Sequence, residues 1–272
     1  MTAGEDWVDG LLVELRAGAY RPAAWRTFLA RSFARAANAR RERAAAHRKL
    51  VWLALLGAAA WTGLALGGRP VLALAAVSWL ALLLLMADWH LGMLEDDRGR
   101  PQSRLGAANL LSIARGAFVP VFLVLPPAGV AALLLLTGAG DVLDGIVARR
   151  RGEETRLGRW LDGGVDAVAL GVAAISTARL GLLPWWAAGL VLARHASQWS
   201  ALSLAYFGGG ERRRRRERFV SARAPGLVLF LGLVLAALDV RGATAIVATG
   251  ALAGVATVAL SAVRTLRPAV SR

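Results

Sequence analysis

The sequence predicts an all-α polytopic membrane protein of about eight spans, on the strength of three observations. The chain is 57% hydrophobic with a mean hydropathy of +0.51, more apolar than a soluble globule of 272 residues requires. Its apolar residues are gathered into stretches of about 20, the length of helix that crosses a bilayer core. The net charge of +15 is concentrated between those stretches.

The elements follow in order. Residues 1–48 are charged throughout, so no cleavable signal is expected, and the first apolar run begins at Leu50. Within this region Trp25, Phe28, Leu29, Phe33 and Ala36 recur at helical spacing, while Arg26, Arg31, Arg35 and Arg40 lie mostly elsewhere on the wheel. Two placements suit this basic amphipathic helix: flat on an anionic membrane surface, or packed on cytoplasmic loops. Residues 50–68 and 70–87 are uncharged and parted only by Arg69, which predicts a transmembrane hairpin with a tight outer turn. A polar loop holding Glu95, Asp96, Asp97, Arg98 and Arg100 follows. The further spans are expected at 105–125, at 128–141 after a Pro126-Pro127 turn, and at 158–178, 184–207, 225–238 and 243–263.

An even number of spans puts both termini on one side. The basic clusters at 40–49, 98–104, 149–159, 212–223 and 264–272 then all fall in the cytoplasm, and the intervening turns near Arg69, Pro126, Gly181 and Arg241 hold few charges. Arginine supplies nearly all the positive charge, since Lys49 is the only lysine. The run from Arg212 to Arg216 reads as a juxtamembrane anchor on anionic lipid rather than a nucleic-acid site. With no cysteine, disulfides, zinc-thiolate sites and thiol catalysis are excluded.

Residues 141–166 read DVLDGIVARRRGEETRLGRWLDGGVD, and this segment carries the chemistry. Asp141 and Asp144 lie i,i+3 near one helix end, and Asp162 and Asp166 lie i,i+4 at the start of the next. Acids at membrane depth are costly and imply function. Two antiparallel helices would bring these carboxylates together, where they would repel one another unless neutralised. An all-oxygen donor set without His or Cys favours Mg²⁺ or Mn²⁺ over zinc. Gly145 and Ala148 keep one helix face open, and Arg149 and Arg156 bring positive charge beside the acids, as a diphosphate would need. Metals bound to oxygen ligands, together with arginines, suit phosphoryl chemistry.

The segment resembles the CDP-alcohol phosphatidyltransferase signature, D-x2-D-G-x2-A-R-x8-G-x3-D-x3-D. Asp141, Asp144, Gly145, Ala148, Arg149, Gly158, Asp162 and Asp166 fill every defined position. The resemblance extends over about residues 102–268, and Asn109, Ser112 and Arg115 are similar to the family's first core helix, with Ala108 and Ser112 replacing its usual proline and threonine. It implies a six-helix core over 102–272, preceded by a cytoplasmic region at 1–48 and an additional hairpin and loop at 49–101. It further implies that Asp141, Asp144, Asp162 and Asp166 hold a pair of Mg²⁺ or Mn²⁺ ions, with Asp166 also the general base. Asn109, Ser112, Gly145, Ala148, Arg149, Thr155 and Gly158 would line the donor nucleotide site, and Arg115, Arg156 and Arg194 are candidate acceptor contacts.

The implied reaction is transfer of a phosphatidyl group from a CDP-linked lipid donor to a small alcohol acceptor with release of CMP, in phospholipid synthesis. The expected setting is the bacterial inner membrane with the site on the cytoplasmic face. Anionic membrane lipid is an expected partner, nucleic acid is not, and a homodimer is an allowed assembly. Two other enzyme classes compete. A phosphotransferase of the CDP-choline or CDP-ethanolamine type acting on a lipid alcohol fits Asp166-Ala167, yet the histidine of that subclass pattern is absent. A membrane prenyltransferase would carry two separate Asp-rich motifs, whereas this chain has one contiguous cluster. A transporter would need a second acidic site, and none exists. His195 beside Arg194 reads as a helix-to-helix hydrogen bond rather than a catalyst.

Overall fold

The computed structural model describes residues 3–208 and 223–266. They form ten α-helices: α1 (Ala3–Ala17), α2 (Pro22–Glu42), α3 (Ala44–Leu66), α4 (Pro70–Trp89), α5 (Ala107–Ala117), α6 (Pro127–Arg151), α7 (Arg156–Arg179), α8 (Trp185–Gly208), α9 (Arg223–Ala237) and α10 (Ala243–Leu266). Among the described residues there is no strand, only an isolated bridge between Glu95 and Pro101. Each of the eight expected apolar stretches falls on one of the helices from α3 to α10.

Among the described residues, five segments are long and apolar enough to cross a membrane: α4, Ala107–Val124 (α5 with the 3₁₀ turn after it), α6, α7 and Ala243–Ala262 of α10. The apolar part of α9, Ala224–Ala237, is shorter. At 1.5 Å per residue the 25 residues of α6 extend about 37 Å, enough for the hydrocarbon core. The molecule is an integral membrane protein. The basic run at 212–216 lies outside the described residues.

Sequence chemistry sets the helix ends. Pro22, Pro70 and Pro127 each open a helix, where the missing N–H would have had no partner anyway. Helix α6 stops because Gly152 takes φ +63°: the Gly152 N–H returns to the Arg149 carbonyl at 3.4 Å and the Glu153 N–H to that of Ala148 at 2.9 Å. Thr155 then caps α7, its hydroxyl accepting the Gly158 N–H at 3.0 Å.

The chain divides into two compact units. One comprises residues 1–121 and 136–169. Its core joins Leu50 of α3, Leu80, Leu83, Leu84 and Ala87 of α4, Ile113 of α5, and Leu157, Leu161 and Val165 of α7. Helices α4, α5 and α7 meet closely at Gly116, where an added Cβ would lie 2.7 Å from Leu83 and 3.0 Å from Val165. Helix α2 packs on the end of α4. Ala36 and Ala39 are buried, Phe33 packs on Trp89 at 4.1 Å, and Arg40 pairs with Asp88 at 2.6 Å, while Leu29 and Phe33 still expose about half of their surface.

The other unit comprises residues 122–135 and 170–272. Here α9 and α10 approach closely through glycines: a Cβ at Gly250 would lie 2.6 Å from the Leu229 nitrogen, and one at Gly232 2.8 Å from that of Val247. Ser176 donates to the Phe122 carbonyl and Arg179 to that of Leu123, which ties the two segments of this unit together.

Candidate active site

Helix α5 carries Asn109, Ser112 and Arg115, α6 carries Asp141 and Asp144, and α7 carries Asp162 and Asp166. All seven lie in the first unit. The i,i+3 and i,i+4 spacings place each pair of acids on one face of its helix, and the fold gathers all four around a single group, the Arg115 guanidinium. Its two terminal nitrogens reach every acid. One donates to Asp166 at 2.8 Å; the other donates to Asp144 at 2.8 Å and Asp162 at 3.2 Å, and lies 3.5 Å from Asp141.

The four acids differ in access. The Asp144 side chain is 3% exposed, whereas Asp141, Asp162 and Asp166 expose 48%, 33% and 41%. Ser112 joins Asp144 to Asp162: its hydroxyl oxygen lies 2.5 Å from Asp162 and 3.1 Å from Asp144, and its one proton serves one of them at a time. Arg115, a candidate acceptor contact, lies among the carboxylates. A half-buried tetrad of acids requires a counter-charge, and the nearest cation supplies it.

Among the described residues no three acidic side chains converge as a metal cage would. The donor set nonetheless suits hard divalent cations: four carboxylates, no softer ligand, and an arrangement that already surrounds a positive charge.

Of the residues expected at the nucleotide, Asn109, Thr155 and Gly158 come together. Asn109 and Thr155 are 1% and 2% exposed, and the Thr155 hydroxyl points at Asn109 Oδ1 from 3.4 Å. Gly158 is required here by close approach: a Cβ would lie 2.6 Å from Asn109 Oδ1. Asn109 Nδ2 is buried without a partner, a donor directed at no protein acceptor. On α6, the Arg149 guanidinium folds over Gly145, where a Cβ would lie 3.3 Å from it. Ala148 is half-buried on the same helix.

The other candidate arginines, Arg156 and Arg194, make different contacts. Arg156 pairs with Glu95 at 3.4 Å, its backbone N–H also donating to the Glu95 carbonyl, and Arg159 beside it pairs with Asp97. Arg194 belongs to the second unit, where it is 7% exposed and Gly254 makes room for its stem. Its Nε has no partner, and its terminal nitrogen lies 3.4 Å from the His195 ring; among the described residues no hydrogen bond from His195 to another helix is seen.

Sequence reasoning missed Gly140 and Glu153. A Cβ at Gly140 would lie 2.6 Å from Arg115 Cδ, so this glycine opens the path along which the arginine reaches the acids. Glu153 accepts the Ala107 N–H at 2.8 Å and so caps α5 from the loop after α6. Glu153 is acidic and follows the Gly152 turn, a weak signal; Gly140, directly before Asp141, gave none.

The CDP-alcohol phosphatidyltransferase family model matches residues 105–263, more than half of the chain. The chain belongs to the CDP-alcohol phosphatidyltransferase family. Curated relatives of this family member include a Streptomyces coelicolor cardiolipin synthase (CMP-forming), 36% identical over 112 residues, which are 38% of this chain and 52% of that one. A Mycobacterium tuberculosis protein assigned as a phosphatidylglycerophosphate synthase is 36% identical over 97 residues, 32% of this chain and 46% of the relative. A Mycobacterium bovis protein assigned as a cardiolipin synthase is 32% identical over 110 residues, 39% and 53% of the two chains. The chain thus spans about half the length of the curated relatives it matches. No solved structure matches it significantly.

Proposed function

We propose that this family member transfers a phosphatidyl group from CDP-diacylglycerol to a glycerol-containing alcohol and releases CMP, as a step of phospholipid synthesis. The observation that carries the reading is the gathering of Asp141, Asp144, Asp162 and Asp166 in one unit with the unpartnered amide of Asn109. The relatives named for cardiolipin and phosphatidylglycerophosphate synthesis support a glycerol-based acceptor.

The four carboxylates would hold two divalent ions, Mg²⁺ or Mn²⁺, which when bound would neutralise the diphosphate and stabilise departing CMP. Asp166, 41% exposed, is accessible enough to take the proton from an acceptor hydroxyl. The acceptor oxygen then bonds to the β-phosphorus as the bond from that phosphorus to the CMP oxygen breaks. Asp144 is too buried for that role and anchors the site from below. The Asn109 amide would donate to the donor nucleotide, Thr155 and Gly158 fix the position of Asn109, and Arg149 would meet the diphosphate where Gly145 leaves the backbone open. In this reading the protein has eight spans in a bacterial inner membrane, with its termini and site facing the cytoplasm.

The test uses purified protein in nanodiscs with CDP-diacylglycerol, Mg²⁺ or Mn²⁺, and a panel of polar alcohols that includes glycerol phosphate and phosphatidylglycerol. Metal-dependent CMP release and a new lipid by mass spectrometry are expected. No CMP release with any CDP-linked donor refutes the proposal.

A further inference from the structure

The cation among the four acids is held there by construction. Arg115 is 7% exposed, it reaches all four carboxylates, and its Nε is buried with no partner. Its stem passes over Gly140 so closely that a methyl group there would overlap Cδ. A side chain so buried, with one donor unsatisfied, is held by the charge it faces.

We propose that Arg115 is the resident cation of the acidic site: threaded past Gly140, it holds the four carboxylates together in the metal-free enzyme and must withdraw before divalent metal enters. The inference rests on the reading that these acids bind metal and adds the competitor that sets how tightly. Metal entry exchanges one positive charge for others at the same oxygens, so the measured affinity is the intrinsic affinity reduced by the hold of Arg115. Freed from the carboxylates, the guanidinium remains beside the site as a fork suited to phosphate oxygens.

Two variants separate the charge from its position. Arg115→Gln removes the cation. Gly140→Ala keeps it but obstructs its path, and the overlap falls on a flexible stem that can move aside, leaving the backbone of α6 in place. Mn²⁺ binding to the full-length protein in nanodiscs is read from the loss of the free-ion electron paramagnetic resonance signal, and metal-free stability from thermal unfolding in chelator.

Both variants should bind Mn²⁺ about tenfold or more tightly than the parent. Arg115→Gln should also unfold at a lower temperature without metal and show a larger Mn²⁺-induced rise. Parent binding with both variants within twofold of it, or weaker, overturns the inference while leaving the proposed function standing. Absence of Mn²⁺ binding by the parent overturns the metal reading itself. If Arg115→Gln does not fold, Gly140→Ala alone decides.

Discussion

Gly158→Ala tests the nucleotide half of the site. The added Cβ would lie 2.6 Å from Asn109 Oδ1, about 0.8 Å inside ordinary van der Waals contact at 3.4 Å, and 3.2 Å from Thr155 Oγ1. Asn109 is 1% exposed, so it can yield only by rotating away from Thr155. Overpacking of this kind costs about 1–3 kcal/mol. The better helix propensity of alanine returns less than about 1 kcal/mol in the first turn of a helix. A net loss of about 1–2 kcal/mol should lower the unfolding midpoint by a few degrees. Misdirecting the one free amide donor should raise the donor KM roughly fivefold, the worth of a neutral hydrogen bond. The assays are thermal unfolding in nanodiscs and CMP release at varied CDP-diacylglycerol. Asn109→Ala removes the obstacle, so Gly158→Ala added to it should cost little more, a coupling of at least about 1 kcal/mol. Purely additive effects, or an unchanged midpoint and KM in Gly158→Ala, refute the reasoning.

The carboxylates should separate by role. Asp166→Asn should lower turnover by about 10²–10⁴-fold with donor binding nearly intact, whereas Asp144→Asn should lose Mn²⁺ and donor binding together, as single-turnover and binding measurements would report. Full activity in both would contradict the assignment. Asp88→Ala leaves Arg40 and His47 without the carboxylate they reach at 2.6 and 2.7 Å. It should destabilise the protein by about 1–2 kcal/mol, a buried-pair loss reduced by partial exposure, and speed proteolysis within α2. In the loop after α4, the Arg100 backbone N–H, followed by the Arg100 guanidinium and the Arg98 N–H, holds the Asp96 carboxyl below its usual range. A depressed folded-state pKa means this turn has its full stability above the ordinary aspartate value and loses it as pH falls through the folded one. The protection factors of the Arg98 and Arg100 amides, exchange rates corrected for the intrinsic pH dependence, should therefore stay flat from neutral pH down to about 5 and fall only in stronger acid.

What was legible in the sequence is what a local period encodes. Uninterrupted apolar runs gave the helices from α3 to α10, and the spacing of Asp141, Asp144, Asp162 and Asp166 gave two like-facing pairs, because a helix fixes which residues share a side. The partners of charged side chains were not legible. Arg156 follows the acidic segment in sequence, but Glu95 pairs with it from a loop some sixty residues earlier. That Arg115 pairs with all four acids was not legible either, because nothing local marks Gly140 as the opening for its stem. Thr155, expected at the nucleotide, also caps α7, a second role that its place just before the helix could have suggested.

The N-terminal hairpin is bound into the helices that carry the site. Gly116 is in the last turn of α5, where carbonyls lack helical partners, and Trp79 of α4 donates to its oxygen at 2.7 Å. That bond is made one residue from Arg115. The start of α7 is held in a similar way: His90 stacks on Trp160 at 4.4 Å, two residues before Asp162, and Glu95 pairs with Arg156. Lipid tails could replace the apolar contact of Leu83 with Gly116 and Val165, since a bilayer solvates leucine as well as a neighbouring helix does. They cannot replace an indole hydrogen bond, a ring stack and an ion pair at the ends of two helices. The segment from Trp79 to Glu95 therefore tethers the end of α5 and the start of α7, next to Arg115 and Asp162.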